Sequence, residues 1–173
     1  MGKGYLGFKG MTLLFAVRDL IVPPEIKLEE AGLKPGFSIL DYGCGPGGYT
    51  FAAAERTGPS GKVYALDILP FAVQRIHRLA LKKGLRNVEG ICSDCRTGLN
   101  DGSIDLVMLY DVYHDLSNGK AVLKELHRVL KPGATLSFSD HHMNHERILT
   151  EVTGTNLFRL SERGKRTYPF LPV

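Results

Sequence analysis

The chain contains no tryptophan and three cysteines, Cys44, Cys92 and Cys95. So small and odd a set builds no disulfide framework, and a reducing compartment, the cytoplasm, is expected. No apolar run approaches the roughly 20 residues needed to span a bilayer, so membrane insertion is not expected. The stretch from Met11 to Val17 meets Arg18 and Asp19 at once, with no small-residue cleavage site after it, which argues against a signal peptide. Myristoylation is disfavoured because Leu6 stands where Ser or Thr is wanted. Internal repeats and low-complexity linkers are missing too, so 173 residues read as a single domain. A large surplus of one charge is also lacking: 22 basic residues face 18 acidic ones, a net of +4. One basic cluster, Arg159, Arg163, Lys165 and Arg166, reads as a solvated turn between strands, and nucleic acid is not the expected partner.

What is present is alternation. Two short helices are expected over Met11–Leu20 and Pro23–Ala31, with Pro24 suited to a first helical turn and Gly32 to a stop. Strands are then expected over Phe37–Asp41, Lys62–Asp67, Val88–Cys92, Ile104–Tyr110 and Ala134–Ser139. The fourth is almost continuously apolar, as a central parallel strand covered on both faces should be. Helices are expected over Gly48–Arg56, Pro70–Lys83 and Lys120–Leu130, the last carrying Val122, Leu123, Leu126, Val129 and Leu130 on one face and stopped by Lys131-Pro132-Gly133. A short helix, Glu146–Thr153, and two strands joined near Glu162–Lys165 follow. Such alternation implies right-handed crossovers and a mainly parallel sheet, whose ligands sit beyond the carboxyl ends of the strands.

The first strand runs into Asp41-Tyr-Gly43-Cys44-Gly45-Pro-Gly47-Gly48. Glycines here remove side chains where the backbone must turn sharply and approach a ligand. The spacing also satisfies the dinucleotide fingerprint, so a nicotinamide cofactor needs separate exclusion. Asp41 supplies it: a carboxylate two residues before the first glycine repels a diphosphate. It stabilises instead the ammonium and sulfonium of S-adenosylmethionine. Asp67 ends the second strand, where an acid accepts from both ribose hydroxyls. Asp94 follows the third strand and can accept from an adenine amino group. Either acid alone reads as a helix cap or solvated loop residue. Three acids after three successive strands are much harder to dismiss.

The segments Ile39–Gly47, Val63–Asp67, Ser93–Cys95, Ile104–Asp111 and Leu126–Gly133, in that order, resemble the motifs of class I S-adenosylmethionine-dependent methyltransferases. The similarity is to the ubiquinone/menaquinone-biosynthesis-like branch and covers about residues 20 to 140. It implies a Rossmann-like α/β fold: a seven-stranded, mostly parallel sheet with helices on both faces and the last strand antiparallel. It implies that Gly43, Cys44, Gly45 and Gly47 present backbone to the methionine part, and that Tyr110 lies near it. Asp67 with Ile68 would serve the ribose, and Asp94 with Cys95 the adenine. Two departures stand out: the insertions that cover the substrate are nearly absent, and Cys95 replaces a common alanine.

For the acceptor, candidate bases follow strands four and five: His114, His141 and His142. Histidine suits the work because it titrates near neutrality. Each also has a plainer reading as a loop cap. A zinc site from Cys92, Cys95 and His141, His142, His145 is not expected, since Asp94 inside the C-x-x-C belongs to the adenine loop. The chain divides into a helical lid over residues 1–32, a cofactor-binding core over 37–140, and a helix and strand pair over 141–173. The apolar helix from Met11, Phe15 included, is expected to close over the cofactor or pack against a second subunit. The leading expectation is methyl transfer to an oxygen, nitrogen, sulfur or carbon nucleophile of a small molecule, leaving S-adenosylhomocysteine. RNA or protein methylation, and a non-catalytic subunit that binds an adenosyl ligand, are the alternatives.

Overall fold

Along the chain the apolar period switches between two and about 3.6, and strands and helices change over with it. The structure, a computed structural model, describes residues 23–173. The expected helix over 11–20 lies outside the described residues, as does Phe15. In chain order the elements are α1 (Pro24–Glu30), β1 (Ser38–Tyr42), α2 (Gly48–Thr57), β2 (Lys62–Asp67), α3 (Pro70–Lys83) and β3 (Val88–Cys92). There follow β4 (Ile104–Tyr110), a 3-10 turn (Tyr113–Asp115), α4 (Gly119–Val129), β5 (Leu130–Ser139), α5 (His145–Thr153), β6 (Phe158–Leu160) and β7 (Tyr168–Pro172). The seven strands form one sheet in the order β3-β2-β1-β4-β5-β7-β6. Strands β3, β2, β1, β4 and β5 pair in parallel, while β7 runs antiparallel to both β5 and β6. The last strand is therefore the reversed one, as expected.

Alternation along β4 sorts the core. Leu106, Met108 and Tyr110 pack with Leu28 of α1 and Ala53 and Ala54 of α2. Val107 and Leu109 pack oppositely, with Val122, Leu123, Leu126 and Val129 of α4 and Ile148 and Val152 of α5. Both faces of the sheet are thus covered, which is why β4 reads as an unbroken apolar run from Leu106 to Tyr110. Phe138 and Phe170 extend the second cluster under β7, fully buried and in edge-to-face contact.

One boundary differs from the sequence reading. The run Lys131-Pro132-Gly133 lies inside β5, at a register shift where Ile104 pairs with Leu130 and Leu106 with Thr135. Gly133 takes φ +75°, and Lys131 Nζ donates to Asp105 Oδ1 at 2.6 Å. The helix does end before this run, but the chain goes on as a bulged strand because proline is tolerated where the ladder is interrupted.

Candidate functional site

Strand order reverses between β1 and β4, and a cleft of about 390 Å³ opens beyond their carboxyl ends, where the topology places ligands. The glycine loop forms one wall. Gly43 has φ +78°, and a Cβ there would lie 2.7 Å from Val112 Cγ2, so only glycine lets the loop pass the end of β4. Of the residues singled out from the sequence, Asp41, Gly43, Cys44, Gly45, Asp67, Ile68, Asp94 and Tyr110 line this cleft. Gly47 and Cys95 stand outside the lining. A Cβ on Gly47 would strike Ile76 and Phe51, so that glycine serves the seating of α2 on α3. Cys95 packs against the core, and burial pushes its thiol above the ordinary range.

The acids have distinct local duties. Asp41 is buried and accepts from Thr50 Oγ1 at 2.6 Å. Asp67 accepts the Gly45 N–H on Oδ2 and the Leu69 N–H on Oδ1, both at 2.9 Å, so it ties the glycine loop to the start of α3. Each carboxylate oxygen retains a further lone pair for a ligand hydroxyl. Asp94 is held through its backbone, whose carbonyl accepts from Tyr42 Oη at 2.9 Å. Tyr110 is buried, shares a 2.8 Å hydrogen bond with Ser137 Oγ, and meets Tyr49 edge-on at 4.8 Å.

The three candidate histidines do not line the cleft; they gather beside it. His142 lies between the others, its ring centroid 4.2 Å from that of His114 and 3.9 Å from that of His141. His114 Nδ1 is 2.9 Å from Asp140 Oδ2, and His141 Nδ1 is 2.8 Å from Asp111 Oδ1. Asp111 itself lines the cleft with φ +53°. Burial raises its carboxyl, but Lys27 and His141 outweigh that and hold it below the ordinary range. Lys27 reaches in from α1, donating to Ser139 Oγ at 2.8 Å with its Nζ 3.8 Å from Asp111 Oδ2. Among the described residues, no group of histidine, cysteine and acid side chains is arranged to hold a metal ion.

Sequence reasoning passed over Lys27, Tyr49, Asp111 as a lining residue, and the Leu116-Ser117-Asn118 wall. Lys27 carries no local signal, because its role depends on where α1 docks. Leu116 to Asn118 had one: a short polar break between an apolar strand and an amphipathic helix, at the ligand edge of the sheet.

Residues 33–166 match the family described as methyltransferase domain. A demethylmenaquinone methyltransferase of Geobacillus stearothermophilus is 34% identical over 107 residues, 61% of this chain and 46% of that protein. An aklanonic acid methyltransferase of Streptomyces sp. (strain C5) is 35% identical over 106 residues, 60% of this chain and 48% of that protein. The chain spans about half the length of these curated relatives. The solved SAM-dependent methyltransferase of Aquifex aeolicus superposes with a TM-score of 0.76 at 30% identity, covering 86% of this chain and 89% of that one. A further structure, from Methanococcus maripaludis, shares the fold with a TM-score of 0.80 at 14% identity, over 96% and 91% of the two chains.

Proposed function

The chain belongs to the methyltransferase-domain family, and from that premise we propose that it transfers the methyl group of S-adenosylmethionine to a small acceptor beyond β4 and β5. The observation that carries the reading is the meeting of the glycine loop, Asp67 and Asp94 in one cleft beyond three adjacent parallel strands. The lining suits this ligand. Backbone of Gly43, Cys44 and Gly45 faces the methionine part beside Tyr110, and Asp41 places negative charge near the loop. Asp67, with the exposed Ile68 beside it, offers acceptors to the ribose, and Asp94 offers one to the adenine. A dinucleotide would set its diphosphate against the same acids. The names of the relatives point to small organic acceptors.

Calorimetry with S-adenosylmethionine, S-adenosylhomocysteine and NAD tests this. The first two should bind and NAD should not. Asp67→Asn should weaken binding at least tenfold, since charge-assisted hydrogen bonds contribute about 1.5–3 kcal/mol each. Tight NAD binding with no response to the sulfonium compound would overturn the reading.

A further inference from the structure

A second hollow, of about 330 Å³, opens beside the cofactor cleft. Leu116, Ser117 and Asn118 form the wall that the two share. The start of α4 lines it, and α5 contributes Arg147 and Glu151.

The hollow holds a hydroxyl with nothing to bond. Tyr113, in the 3-10 turn, is only 6% exposed, and its ring meets Phe138 edge-on at 5.4 Å. Among the described residues no group shares a hydrogen bond with its phenol, yet the oxygen is not sealed from solvent. It lies 2.8 Å from where a Cβ on Gly119 would stand, so the glycine at the head of α4 leaves it room. Both residues line the hollow. Burial, with the Glu151 charge adding to it, pushes the phenol up to about 12, so at neutral pH it keeps its proton and can donate.

The start of α4 adds donors of its own. The Ala121 and Val122 N–H return to the Asn118 carbonyl at 2.9 and 3.1 Å, while the Gly119 and Lys120 N–H have no partner among the described residues. The Asn118 side chain does not cap the helix; its Nδ2 donates to the Asp94 carbonyl at 3.4 Å instead. The 11 residues of α4 therefore direct the positive end of their dipole here. Lys120 and Arg147 add full charges, and among the described residues no acid lies within 4 Å of either. Glu151 is the single acid of the described lining. An unpaired hydroxyl, two unpaired amides and two unpaired cations at one hollow are all donors, which is the complement of an oxyanion.

We propose that this hollow binds the carboxylate or phosphate group of a small organic molecule. The group takes hydrogen bonds from the Tyr113 phenol and the Gly119 and Lys120 N–H, and faces the Lys120 and Arg147 side chains. The hollow is far larger than one inorganic oxyanion and reaches the roughly 300 Å³ at which small-molecule sites begin, so the anion is one end of an organic body. Glu151 offsets part of the positive charge and holds the affinity down. The site stands independently of methyl transfer and is tested without the methyl donor.

The test titrates the full chain, labelled with nitrogen-15, with phenyl phosphate, benzoate, inorganic phosphate and benzyl alcohol at constant ionic strength. Saturable shifts of the Gly119 and Lys120 amides are expected with phenyl phosphate and benzoate, weaker binding with inorganic phosphate, and none with benzyl alcohol. Tyr113→Phe keeps the ring and removes one donor, and Arg147→Gln removes one charge; each should weaken phenyl phosphate binding about three- to tenfold. Glu151→Gln should tighten it about twofold or more, a direction that a merely structural role would not give. If Tyr113→Phe disturbs the fold, the substitutions on α5 carry the test. Shifts that never saturate, or that appear equally at the basic turn over residues 163–166, overturn the proposal. So does benzyl alcohol binding as tightly as benzoate, or an affinity indifferent to both Arg147→Gln and Glu151→Gln. Inorganic phosphate binding as tightly as phenyl phosphate overturns the organic body.

Discussion

Asp111 holds φ +53°, a conformation that costs a non-glycine residue of order 1–3 kcal/mol and persists only when its surroundings fix it. The His141 N–H and imidazole, with the Lys27 ammonium nearby, supply that fixing and hold the carboxylate of this cleft-lining residue. Away from the site, Glu125 shows another residue set by its partners. It accepts from Arg128 and from the Thr97 N–H and hydroxyl, and these bonds, Arg128 first, draw its carboxyl down to about 2. Because the folded value lies below the ordinary 4.5, the stabilisation is whole above that pH. It is lost as pH falls from about 4.5 to about 2. Denaturant midpoints across that window should fall less steeply in Glu125→Gln than in the wild type, and Glu125→Gln should be less stable at pH 7. Parallel curves would mean that the carboxylate is not held as drawn.

At the scale of elements, α1 is seven residues long, too short to persist by itself. Two attachments keep it in place. Leu28 is fully buried in the core, and Glu30 Oε2 accepts from the Arg166 N–H at 2.9 Å, the Thr167 N–H at 3.0 Å and Thr167 Oγ1 at 3.1 Å. The turn between β6 and β7 is thereby tied to the helix that delivers Lys27 to Ser139. Glu30→Ala leaves a buried donor without its acceptor, a loss of about 1–3 kcal/mol. Amide exchange at Arg166 and Thr167 should accelerate and the melting temperature should drop, while Glu30→Gln should recover part of both. Unchanged exchange at Thr167 would show that the turn holds its own shape.

Taken as a whole, the molecule carries a net charge of +4, yet its cleft is lined by Asp41, Asp67, Asp94, Asp111 and Asp115, with Lys27 set against one of them. The methyl donor carries one more positive charge than its demethylated product. The cleft should therefore prefer S-adenosylmethionine to S-adenosylhomocysteine at low salt. That preference should shrink as the screening length falls from about 10 Å at 0.1 M to about 3 Å at 1 M. Calorimetry at the two ionic strengths reads it directly, and a preference that ignores salt would count against an electrostatic origin.

The alternation of periods, the glycine loop and the acids at the ends of the first three strands could all be read along the chain. Each is local: a strand, its turn and the residue just after it are neighbours in sequence, and the parallel sheet brings such ends to one edge. The bulge at Lys131-Pro132-Gly133 was not legible, because whether that run ends an element or interrupts a ladder depends on the strand beside it. Nor was the approach of Lys27 to Asp111, which depends on how α1 packs. The histidines show the division most plainly. Their types and places after strands four and five were visible. That Asp111 would hold His141 and Asp140 would hold His114 was decided only when β4 and β5 paired in parallel and brought residues 26 and 30 positions apart within hydrogen-bond reach.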